Sequence, residues 1–151
     1  MPYEVDQSNK IESGGDTALA LSNDKEYTIR LPAREKRAVV KAMRLQFDRL
    51  SRKLIYIRLF TAALYYLLRE LPIGRTVTID IEYTGHEHNI KAMLFYWLRQ
   101  ERPDLSPDDI VSGLVGKKSP AHEKALAIYR KEAKADRTLK ADDLLKQIIG
   151  P

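Results

Sequence analysis

Three acidic residues stand at or near the ends of two segments that read as β-strands. Asp6 closes Tyr3-Glu4-Val5-Asp6, where apolar and acidic residues alternate as in a short strand. Asp80 and Glu82 belong to the region Thr76–Ile81 and its continuation, a β-branched run that reads as a buried strand. A period of two puts Glu4 and Asp6 on one face and Tyr3 and Val5 on the other; in the second segment it sets Asp80 and Glu82 against Val77, Ile79, Ile81 and Tyr83. An acid in so apolar a strand is costly unless it is paired, protonated or bound to a cation. If the two strands are neighbours, Asp6 faces Asp80 or Glu82. Carboxylates crowded at one point form a site for divalent cations, and two such ions could activate a water and stabilise the leaving oxygen of a phosphodiester.

The elements that must position these acids follow from periodicity and turn chemistry. Thr17–Leu21 and Glu26–Leu31 read as a hairpin about Ser22-Asn23-Asp24-Lys25, and Pro32 ends it. From Ala33 to Leu71, residues Met43, Phe47, Leu50, Leu54, Ile57, Thr61, Leu64 and Leu68 recur at spacings of four and three, which predicts one long helix, kinked or meeting a partner. Its half from Leu54 to Leu71 is apolar nearly all round and is the expected homodimer contact. A helix over Glu87–Gln100, a strand over Ile110–Val115, a helix opened by Ser119-Pro120 and a last helix over Ala141–Ile149 complete the chain. Strands interleaved with helices imply a mixed sheet covered on both faces, in one domain over 1–151 with 138–151 as a helical extension.

The 151 residues carry a net charge of +5 and no cysteine, so disulfides and thiolate metal sites are excluded. The positive charge is clustered. Arg34, Arg37 and Arg44 belong to one group; Lys117 and Lys118 begin another, ahead of Ser119 at a helix start. These six are the expected phosphate contacts of a nucleic-acid partner. No signal segment or membrane span is expected, and the chain reads as cytoplasmic. Gly113–Ser119 lacks the spacing of a phosphate loop, and His86-Glu87-His88 offers imidazoles near Glu82 without a fourth zinc ligand.

The element order, an aspartate on the first strand and an acid at the end of the fourth resemble the ribonuclease H-like superfamily. Ile79-Asp80-Ile81-Glu82-Tyr83 followed by a helix is similar to the second motif of its Holliday-junction-resolvase branch. The resemblance implies an α/β fold with strand order 3-2-1-4-5, helices on both faces and a long first helix. It also implies a nuclease using two Mg or Mn ions on DNA or RNA. Asp6 would be a ligand, with Glu82 (resolvase pattern) or Asp80 (ribonuclease H pattern) sharing the metals. The branch's last motif falls on Ser119 and His122, so His122 or Glu123 would complete the shell, and Glu35 would match an extra helix position. The competing expectation is a degraded member that binds nucleic acid or protein without catalysis. Ordinary structural uses also exist: Asp6 bonding the turn at Gln7-Ser8, and Ser119 capping its helix.

Overall fold

The computed structural model describes residues 2–150; Met1 and Pro151, which the single-domain reading includes, lie outside them. Among the described residues, six strands form one mixed sheet and five α-helices pack on it. The strands are β1 (Tyr3–Ser8), β2 (Thr17–Ser22), β3 (Glu26–Leu31), β4 (Val77–Asp80), β5 (Ile110–Gly113) and β6 (Arg137–Thr138). The helices are α1 (Ala33–Gln46), α2 (Arg52–Leu68), α3 (Glu87–Arg99), α4 (Pro120–Tyr129) and α5 (Ala141–Ile149). The sheet order is β5-β4-β1-β2-β3-β6, with β1 antiparallel to β2 and parallel to β4.

Two expectations are corrected. The five-strand order gains a sixth member: Arg137–Thr138 lies parallel to β3 through Ile29 and Arg30, and the Asp136 carboxylate fastens it by accepting from the Thr28 N–H at 2.8 Å. A two-residue strand has too little periodicity to be seen in sequence. The single helix over 33–71 is instead two. Helix α1 ends at Phe47, whose φ of −128° and ψ of 75° leave the helical region, and Ser51 starts α2 by accepting from the Leu54 N–H at 3.2 Å. The apolar stripe runs on across the break, so its spacing alone does not reveal the corner.

Helix α2 is the centre of the core. From Leu59 to Leu68 every residue is buried, covered by β2, β3, α1, α3 and α5. The chain's own elements cover the apolar half from Leu54 to Leu71, leaving only Leu54 substantially exposed among its large apolar residues, at 40%. Its polar groups are satisfied internally, Thr61 donating to the Ile57 carbonyl and Tyr66 to the Asp143 carbonyl on α5. Glu35, matched by resemblance to a metal position, instead accepts from the Ala141 N–H at 2.9 Å and so caps α5.

Helix α4 lies on the opposite face, across β1, β2 and β3. That face carries Ala18 and Ala20, in register with Ser8 and Asp6, and α4 turns buried Ala121, Ala125 and Ile128 toward the sheet. Small residues on both sides permit close approach. No helix among the described residues is long and apolar enough to cross a membrane.

Asp16 ties the hairpin to α1. It accepts from the Ala33 N–H at 2.9 Å and pairs with Arg30 at 3.0 Å. Burial pushes its carboxyl up, but these two donors outweigh burial and hold it below the usual range. Asp16→Ala is therefore expected to cost about 1–2 kcal/mol at neutral pH, lowering Tm by roughly 3–6 °C. Because a depressed pKa adds stability above the ordinary carboxylate range and loses it as pH falls through the lowered value, the gap from the native protein should narrow at acid pH. Thermal melts at both pH values check this; equal Tm at neutral pH would contradict the capping role.

Candidate metal centre

Parallel pairing of β1 with β4 places Val5 against Ile79, so Asp6 and Asp80 emerge side by side one residue later. Glu82 follows just beyond the end of β4. One carboxylate oxygen from each of Asp6, Asp80 and Glu82 lies within 4.8 Å of the others. The cluster sits at the carboxyl ends of adjacent parallel strands, where open α/β sheets bind ligands.

Each acid is held differently. Asp6 is 6% exposed; its Oδ1 accepts from the Gln7 N–H at 2.8 Å and its Oδ2 meets His122 Nδ1 at 2.8 Å. Burial raises the Asp6 pKa, opposed by the His122 and Gln7 contacts and reinforced by the charge of Asp80. The bond to Gln7 anticipated as a turn contact is thus present together with the His122 contact. Asp80 Oδ1 accepts from the Val115 N–H at 2.9 Å. Gly113 permits the close pairing behind it: a Cβ there would meet the Thr78 methyl at 2.9 Å. Glu82 is pushed up to about 7, chiefly by burial, with Asp80 and Asp6 adding repulsion and Gln7 opposing them.

Of the sequence-derived candidates, Asp6, Asp80, Glu82 and His122 come together. Glu123 is exposed and stands outside the acidic group. Ser119 is 8% exposed and committed twice, accepting from the Ala121 N–H at 3.2 Å and donating to Glu4 at 2.8 Å, so it caps α4 and is closed to phosphate. Lys117 and Lys118 are exposed in the turn before α4, the same turn that bonds Asp80 through Val115. Arg34 pairs with Glu35 at 3.3 Å, while Arg37 and Arg44 are exposed along α1. His86, Glu87 and His88 are not part of the group; the Glu87 carboxylate accepts from the Gly85 N–H at 2.8 Å.

Sequence reasoning missed Gln7. It shares the face of Tyr3 and Val5 and lies buried opposite Leu19. Its amide is close enough to Glu82 to favour the carboxylate, yet neither side-chain atom completes a hydrogen bond. A polar residue at the third position of an apolar strand face was the available signal. It also missed the bond from the Tyr83 hydroxyl to Glu12 at 2.9 Å, which ties the loop after β1 to the residue following Glu82.

No protein-family model matches the chain, and no curated protein sequence is significantly similar to it.

A carboxyl with a raised folded-state pKa binds its proton more tightly in the folded than in the unfolded protein. Stability therefore falls as pH rises from the ordinary glutamate range through about 7. In chelator-treated protein, Glu82→Gln should raise Tm at pH 8, where the native side chain is charged, and change it little at pH 5. An equal shift at both pH values would contradict the assigned crowding.

Proposed function

We propose that the chain is a divalent-metal-dependent nuclease that cleaves phosphodiester bonds in DNA or RNA on a ribonuclease H-like fold. The observation that carries this reading is the convergence of Asp6, Asp80 and Glu82 within 4.8 Å at the tips of two parallel strands. The sheet run β3-β2-β1-β4-β5, with α4 on one face and α2 on the other, supports the fold reading.

The donors fit a hard cation. Three carboxylates face one imidazole, and the buried Gln7 amide retains unused polar atoms beside them. Asp6, Asp80 and Glu82 would hold Mg or Mn. Bound there, one or two ions would polarise a phosphodiester and acidify a water. His122 is positioned through Nδ1 by Asp6; with that N–H donated, Nε2 is left as a base able to take a proton. Lys117 and Lys118 are exposed shortly after Val115, whose N–H bonds Asp80, and their charge suits a phosphate backbone.

A second reading, binding of nucleic acid without cleavage, is favoured by one observation. The Ser119 hydroxyl is spent on Glu4, so an imidazole alone stands where the resembled family carries two acids.

Cleavage of branched DNA, duplex DNA and RNA–DNA hybrid in Mg and in Mn separates the two. Metal-dependent cleavage is expected, abolished by Asp6→Asn and reduced on the order of 10²-fold by His122→Ala. Intact substrates in both metals, from protein that binds them, would leave the second reading.

A further inference from the structure

A groove of about 520 Å³ lies between the loop over 11–15 and the corner of α1 and α2. Lys36, Arg37, Lys41 and Arg44 of α1 and Arg52 of α2 all line it. The single acid in the lining, Glu12, is engaged by the Tyr83 hydroxyl. Apolar surface lies among the cations, from Val40, Tyr56 and Leu45, the last 79% exposed.

Lys36 distinguishes this groove from an ordinary solvated basic face. It is 4% exposed, and its ammonium donates to the Ser13 carbonyl at 3.0 Å and the Thr17 hydroxyl at 2.9 Å, both neutral. Burial lowers its pKa against the more distant pull of Asp16 and Glu12. A buried ammonium whose hydrogen bonds go to neutral acceptors adds positive charge beneath the groove, set against the single carboxylate of Glu12 in the lining and that of Asp16 behind it. The groove also adjoins the acidic cluster. Its loop continues from β1, which carries Asp6, and the Glu12–Tyr83 bond joins its rim to the residue after Glu82.

The lining selects the occupant. Phosphates alone need only the cations, whereas a base needs the apolar and aromatic surface that an intact duplex keeps covered by stacking. We propose that the groove holds an unpaired nucleotide of a nucleic-acid strand. Its phosphates lie on Arg37, Lys41, Arg44 and Arg52, and its base lies against Tyr56. The substrate then reaches the acidic centre as a single strand. This extends the nuclease reading to its substrate, but the binding itself requires neither metal nor cleavage.

Fluorescence polarisation in EDTA tests it, with labelled 12-mers of thymidylate and adenylate, the same length of duplex, and free AMP as competitor. The native protein should bind the single strands more tightly than duplex. Tyr56→Leu should weaken single-strand binding by about 5- to 100-fold while leaving duplex binding unchanged. The Arg37→Ala/Arg44→Ala double variant should weaken both, with Tm held. Equal affinity for duplex, or no effect of Tyr56→Leu, would overturn the proposal. Displacement by AMP as efficient as by an oligomer of equal nucleotide concentration would replace it with a free-nucleotide site. Strand preference without cleavage in Mg or Mn would count against the nuclease reading alone; cleavage without strand preference would count against the groove alone.

Discussion

Asp6 and Asp80 are neighbours because β1 and β4 pair in parallel, and that pairing forces negative charges together at one end of the sheet. The repulsion is offset by dipoles and one ring: the Gln7 N–H and His122 for Asp6, the Val115 N–H for Asp80. Among the described residues, His122 is the only basic side chain that contacts any of the three acids, through Asp6. Glu82 relieves the remaining strain by holding its proton up to about pH 7. Such a cluster lacks positive charge, and a divalent cation supplies what the side chains do not.

The surrounding packing serves this arrangement. Helix α4 reaches Asp6 because Ala18 and Ala20 on the sheet and Ala121 and Ala125 on the helix keep the layers close. Its N-terminus is fixed by Ser119, whose hydroxyl both caps the helix and grips Glu4, two residues before Asp6 on the same face. On the other face, α2 supplies an apolar wall from which Phe60 packs edge to face against Tyr83 at 5.4 Å. The two sides of the sheet are thus chemically unlike, one dry and aromatic, the other bearing the histidine.

Much of this was legible in the chain itself. Alternation placed Asp6 and Asp80 on definite faces, turn residues marked the hairpin, and Ser119-Pro120 marked the start of α4. What the sequence hid has physical causes. The α1–α2 corner keeps the apolar stripe in phase, so a helical period persists through Phe47–Ser51 where the backbone is not helical. Strand β6 is held by Asp136 and by pairing with β3, contacts more than a hundred residues apart in the chain. The buried state of Lys36 and the free amide of Gln7 depend on neighbours that only the fold assembles. Glu35 illustrates the reverse error: an acid near a helix start invited a metal role, while the fold spends it on the first N–H of α5.

Diffraction from crystals soaked in Mn, recorded at the metal's absorption edge, addresses the central claim without requiring substrate or turnover. The account expects an anomalous peak bounded by the carboxylates of Asp6, Asp80 and Glu82, absent from crystals of Asp6→Asn. A fully soaked crystal with no peak there, or with manganese only on acids elsewhere on the surface, would contradict it.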